Sequence, residues 1–324
     1  MKKPTSLLAC AAFAMAAAGS VQAADTAYPS KPIQLVIPFP PGGATDVVGR
    51  LIGKALGDRL GQPVVADNRA GAGTIVGAGY VAKAAPDGYT LLISSGTTFT
   101  INPAIQPKLP YDPVKSFEPI GLIGRTGLVL LANKDVPANT PKEFVALAQG
   151  APGKYSYASF GNGTTSQFTA ELVLRATGTK LTHIPYKGSS PAMTDLIGGQ
   201  VPFSVDTVSA AIPQLKNGKI KAIAVTTAKR SALLPGVPTF AESGFDVDAD
   251  TWIAIVSSRG LPAAVKARLE KALADVVAST QVREQLLAAG LEPQWLDGQA
   301  LGALIEKELP VMRDIARQAN IKAD

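Results

Sequence analysis

The stretch Phe39-Pro40-Pro41-Gly42-Gly43-Ala44-Thr45-Asp46 sets two prolines and two glycines between an apolar run and a helical period. Strand, glycine turn and helix start together offer backbone N–H groups to an anion. First-turn amides have no in-helix acceptor, and the helix dipole places about half a positive charge there. No lysine stands in this turn, which argues against a nucleotide phosphate and leaves a carboxylate as the better fit. Phe39, Pro40, Gly42, Gly43 and Thr45 are the candidate contacts, because glycines let a ligand approach the backbone closely. Asp46 suits a cap that offsets the dipole better than a ligand contact. Alone, the stretch is equally compatible with an ordinary strand–helix turn.

A second turn of the same kind lies in the other half of the chain: Ser159-Phe160-Gly161-Asn162-Gly163-Thr164-Thr165-Ser166. Ser159, Asn162, Gly163, Thr164 and Thr165 crowd hydroxyls and amides at one helix start. The bland reading is a generous N-cap, since Ser and Thr favour that position. The pair shifts the balance, because two helix starts from two halves could clamp one anion. Ser94–Thr98 adds hydroxyl donors, Ser95 and Thr97, after another strand. Tyr186-Lys187-Gly188-Ser189 supplies Tyr186 and one well-placed cation, Lys187. Asp206 ends an apolar run and could accept an ammonium if the ligand carries one.

Other chemistries find no support. His183 is the sole histidine, sits in a strand-like context, and has no G-x-S-x-G partner motif. A hydrolase would have to use it, and a histidine metal site generally needs more than one; a structural role is expected, with no catalytic residue, no metal and no cofactor. Gly71-Ala72-Gly73-Thr74-Ile75-Val76-Gly77 departs from the dinucleotide glycine spacing and reads as close helix–strand packing. Gly49, Gly53 and Gly57, four apart, carry the same message.

The elements that must position these turns alternate. A strand over Ile33 to Pro38 precedes a helix over Ala44 to Gly61, with Val48, Ile52, Leu56 and Leu60 at helical spacing. A strand from Pro63 to Ala66, a helix from Gly73 to Ala84 and a strand from Tyr89 to Ile93 follow. This β-α-β-α-β order implies parallel strands covered on both faces. The middle repeats the scheme: two apolar runs over Ile120 to Ala132, then helices over 141–149, 166–177, 190–198 and 212–218. Strands alternate with them over 155–158, 183–185, 202–205 and 222–225. The tail carries a strand from Trp252 to Val256 and long helices over 262–289 and 298–318. The second unit reads as inserted in the first, giving an α/β chain of two lobes: 24–124 plus 229–324, and 125–228. Crossings are expected near Leu122–Thr126 and Val225–Ala228, with the ligand between the lobes.

Lys2 and Lys3, an apolar run from Ser6 to Gly19 and Val21-Gln22-Ala23 fit a secretory leader over 1–23, cleaved after Ala23. That leaves 301 of the 324 residues, expected to be exported and soluble in the periplasm. The only cysteine, Cys10, lies inside the leader, where it faintly resembles a lipid-attachment site. A core without disulfides must therefore hold the chain. Losing two lysines and no acids lowers the formal charge from +6 to +4. So diffuse a basic bias, with 6% aromatic residues, suits acidic small molecules and excludes a nucleic-acid footprint.

Five ordered stretches then carry a specific resemblance: YPSKPIQLVIPFPPGGATDVVGRLI, NRAGAGTIVGAGYVAKAAPDGYTLL, LPYDPVKSFEPI, HIPYKGSSPAMTDLIGGQV and LPGVPTFAESG. Together they resemble the Bug family, extracytoplasmic receptors similar to the binding component of tripartite tricarboxylate transporters. The resemblance covers essentially all of the chain beyond the leader. It implies a type II periplasmic binding-protein fold, two closing lobes, and a small organic acid or amino acid held by backbone amides and waters at the first turn. It also implies membrane permease partners and cleft-lining roles at Tyr186, Lys187, Gly188 and Asp206. A monomer is expected. Phe160 departs from the small residue the family more often carries there and should reshape that end of the pocket. A ligand sensor signalling to a membrane kinase would present the same pocket and is the alternative.

Overall fold

A computed structural model describes residues 28–319 and Ile321. The leader, its cleavage site and Cys10 lie outside the described residues. In the first unit β1 (Ile33–Ile37), α1 (Ala44–Leu60), β2 (Val64–Asn68), α2 (Ile75–Ala82) and β3 (Thr90–Ser95) alternate as expected. β2, β1 and β3 pair in parallel. α1 buries Val48, Ile52, Leu56 and Leu60. Its glycines allow close packing: a Cβ on Gly49 would lie 2.9 Å from Ile37 Cδ1. Gly77 in α2 is similarly tight, 2.8 Å from Pro38 Cβ, which accounts for the glycine-rich run there. After β3 the chain makes a π-helical turn over Thr97–Ile101 and a short helix, α3 (Asn102–Ile105).

β4 (Phe117–Asn133) is one 17-residue strand in which the expected two apolar runs join. The second unit follows: α4 (Pro141–Gly150), β5 (Ser156–Ser159), α5 (Thr165–Thr177), β6 (Thr182–Pro185) and α6 (Ser189–Ile197). β7 (Phe203–Thr207), α7 (Val208–Lys216) and β8 (Ile220–Val225) complete its regular elements. The chain returns through β9 (Asp250–Ser258), then α8 (Ala263–Ala278), α9 (Thr280–Ala288), β10 (Glu292–Asp297) and α10 (Gly298–Ala319). The helix expected over 262–289 is two helices, because Ser279 takes an extended conformation between them. β10 lacks an apolar alternation and is defined by its antiparallel pairing to β4.

The two lobes share one curled sheet. β4 pairs with β9 over 117–127 and with β7 and β8 over 128–133, so it runs through both lobes and changes partners at Gly127–Leu128. One lobe holds cores on both faces of its strands, under α1 and α8 and under α2 and α10. The other does the same around β5 and β7. The return crossing differs from expectation. Leu233, Leu234, Val237, Phe240 and Val247 pack into the second lobe's cores, whereas the sequence pattern assigns 229–249 to the first lobe. Thr226 donates its N–H to Leu128 O, and Ala249 donates to Thr226 O, so the chain stays there until β9 begins. β4 and β9 are therefore the crossing strands, with Thr126 opposite Thr251. Behind them, Met312 and Ile315 of α10 pack with Phe168 and Leu172 of α5, linking the lobes at the rear.

Candidate functional site

Between the lobes lies a cavity that is partly open to solvent. Phe39, Pro40, Gly43, Thr45, Ser95, Thr165 and Asp206, all expected on sequence grounds, line it. Four helix starts converge there: Ala44 and Thr45 of α1, Thr165 of α5, Ser189 and Ser190 of α6, and Thr207 just before α7. Neither α1 nor α6 carries a side-chain cap, at Gly43 and Gly188. Their first-turn amides and dipoles therefore add positive potential without any lysine or arginine in the wall. Thr45, Ser95 and Thr251 bring further hydroxyls to the wall, those of Ser189, Ser190 and Thr126 donate to protein acceptors, and Phe39, Phe160 and Ile253 make an apolar wall.

The first turn is held from outside the cavity. Gly42 donates its N–H to Asp46 Oδ2 at 2.9 Å, and Arg50 and Asn68 also donate to that carboxylate. Burial alone would raise the Asp46 pKa, but these bonds outweigh it and hold the carboxyl below its usual range. Asp46 thus braces the turn, as expected. Gly42 itself faces a neighbouring groove with φ of 88°.

The second turn serves mainly as a scaffold. Ser159 Oγ bonds His183 Nε2 at 2.7 Å, and His183 stacks on Tyr157, which is the structural role expected for the histidine. Thr164 Oγ1 donates to Gly161 O, and Gly163 N to Gln167 Oε1. Only Thr165 of the expected residues in this turn reaches the cavity. Thr97 does not line it either. It joins the lobes instead, sharing a 2.6 Å bond with Thr165 Oγ1 and accepting the Thr165 N–H. Asn162, Tyr186 and Lys187 line a second opening at the cleft mouth, beside Phe39 and Phe160. Lys187 is therefore not a cation in the main cavity. Phe39 and Phe160 meet edge to face across the lobes, centroids 6.2 Å apart, so Phe160 does shape one end of the pocket.

Asp206 is the one charged side chain in the wall, and 1% exposed. Its Oδ2 accepts from Ser189 Oγ at 2.5 Å and its Oδ1 from Thr207 N at 2.7 Å. Burial pushes its pKa up to about 6, against the downward pull of those bonds. Ser189, Ser190 and Thr207 repeat the strand–hydroxyl–helix signature of the first two turns, a signal by which they could have been found. Thr126 and Thr251 had no such signal, since only the β4–β9 register brings them together.

Two α/β lobes on a shared sheet, crossed by two strands and enclosing a hydroxyl-rich cavity, define a type II periplasmic binding protein. Residues 48–321 match the family described as tripartite tricarboxylate transporter family receptor. BugT of Bordetella pertussis is 34% identical over 322 residues, 98% of each chain. The periplasmic binding protein BugD is 34% identical with a TM-score of 0.87, covering 92% of this chain and 100% of BugD. R. palustris Rpa4515, solved with adipate, is 33% identical with a TM-score of 0.89, covering 91% and 99%. The chain belongs to the tripartite tricarboxylate transporter receptor family, whose members are periplasmic binding proteins and not enzymes.

Proposed function

We propose that this protein captures a small carboxylate-bearing solute between its lobes and delivers it to a tripartite-type membrane permease. The observation that carries this is the convergence of four helix starts on one hydroxyl-lined cavity without a lysine or arginine in its wall. Such a wall stabilises an anion through oriented amides and O–H groups, which need no reorganisation when the ligand arrives. The carboxylate rests at the start of α1, near Gly43, Ala44 and Thr45, and the solute's body lies against Phe39, Phe160 and Ile253. The adipate held by a structural neighbour has this chemistry. Export through cleavage after Ala23 and action as a single chain complete the reading.

The test is thermal unfolding of the chain from Ala24 onward, freed of bound solute by unfolding and refolding, against a panel of organic acids and amino acids. A ligand at a hundred times its dissociation constant adds about 2.7 kcal/mol. That raises the midpoint by roughly 5 °C in a chain of this size. One or a few acids are expected to shift it, and a flat panel overturns the carboxylate reading. Membrane pull-down with the liganded protein separates delivery from signalling: a permease is expected, and a histidine kinase alone overturns delivery.

A further inference from the structure

The cavity suits an anion, yet its wall contains a carboxyl group of its own. Asp206 lies at the end of β7, where the starts of α6 and α7 meet it through Ser189 and Thr207. These donors hold both of its oxygens in place, so the group cannot swing away from a ligand. Nor does a cation neutralise it. From α6 the cavity receives Ser189 and Ser190, from β4 Thr126, from α1 Ala44 and Thr45, from α5 Thr165, and from β9 Thr251 and Ile253. Charged groups on the same elements are engaged elsewhere: Asp195 of α6 with Tyr186, Asp46 of α1 with Arg50 and Gly42, and Arg125 of β4 with Asp250 of β9. Glu171 of α5 bonds Tyr157, Lys187 lines the outer opening, and Lys216 sits in the last turn of α7. The influences on Asp206 are burial first, then the Ser189 and Thr207 hydrogen bonds, with no charged side chain among them.

Two anions enclosed together without a counter-ion repel strongly in a low-dielectric site. One proton removes the conflict and converts Asp206 from an acceptor into a donor. We infer that Asp206 takes up one proton from solvent as an anionic, ammonium-free organic acid is seated, and that its carboxyl O–H then donates to the ligand's oxygen. Capture is thereby linked to pH, and Asp206 selects for acids that present an acceptor at its end of the cavity. This inference rests on the carboxylate reading of the cleft. Its carboxyl is already poised to accept a proton, because burial lifts its pKa to about 6.

The experiment is calorimetric titration of the full chain beyond the leader with adipate, succinate, benzoate and L-aspartate between pH 5.5 and 8.5. Ammonium-free acids that bind are expected to weaken about fiftyfold between pH 6 and 8, tenfold per unit at the upper end. Heats compared in buffers of different ionisation enthalpy at pH 7.5 should report about one proton taken up per ligand. Asp206→Asn should abolish uptake, flatten the profile and bind more tightly than the parent at pH 8.5. Ser189→Ala, which removes a bond favouring the ionised form, should move the parent's midpoint upward. Binding that is independent of pH, or accompanied by proton release, overturns the inference while leaving the carboxylate reading intact. So does L-aspartate binding that strengthens with pH and is lost in Asp206→Asn, since Asp206 would then be an ionised ammonium acceptor. No binding by any acid at any pH overturns both.

Discussion

Asp206 illustrates how a buried acid in a cavity wall can oppose stability. Its folded pKa, about 6, lies above the ordinary aspartate value of 3.8. The folded state therefore holds the proton more tightly than the unfolded chain between those values, and stability falls as pH rises through that window. The cost at neutral pH is about 3 kcal/mol. Asp206→Asn should raise the unfolding midpoint of the ligand-free protein by a few degrees at pH 7.5 and leave it nearly unchanged at pH 4, read by thermal melts at both. Gly42 makes the complementary point about backbone. At φ of 88° a side chain is strained, and a Cβ would lie 3.0 Å from Ser190 Oγ across the cleft. Gly42→Val is expected to lower stability by about 1–2 kcal/mol and to weaken solute binding at least tenfold, checked by melts and titration.

At the scale of elements, β4 and β9 carry the connection between lobes, and their outer side is held by charge. Arg125 of β4 donates to both oxygens of Asp250 on β9, at 2.9 and 3.0 Å, and lies 3.6 Å from Glu308 of α10. Trp252 Nε1 donates to the same glutamate at 2.9 Å. Burial raises both acids' pKa, and Arg125 draws them back. Arg125→Met should cost about 1–3 kcal/mol at neutral pH. The cost should shrink as pH falls and the two carboxyls take up protons. Denaturant unfolding at pH 7.5 and 5 checks this, and an equal cost at both would show that packing and not charge is lost. Both helix starts and glycine turns around this junction were legible from local chemistry. The break between α8 and α9, the strand β10 and the return of the chain at Asp250 were not. Ser279 changes conformation without a proline or glycine to mark it, and β10 owes its form to pairing with β4.

Across the whole molecule, contacts between the lobes include Phe39 on Phe160 at the mouth, Thr97 on Thr165 within, Ser190 on Pro41 O at the first turn, and α10 on α5 at the rear. Phe168, 2% exposed, is the largest apolar side chain in the rear contact. Phe168→Ala should destabilise by about 3–5 kcal/mol and broaden or split the unfolding transition as the lobes uncouple, which calorimetry would resolve. What the amino-acid sequence determined by itself is the alternation of strands and helices, the glycine turns at their junctions and the family. These are local properties, written in apolar spacing, φ preferences and residue type. Tertiary structure alone decided which turn residues face the cavity. Thr165, which opens α5, and Asp206, near the end of β7, face the cavity, while Ser159 and Gly163 are internal supports. The β4–β9 pairing brings in Thr126 and Thr251, and Lys187 is placed at the mouth. A side chain's neighbours across a cleft depend on how two lobes meet, through contacts far apart in the chain that local pattern does not encode.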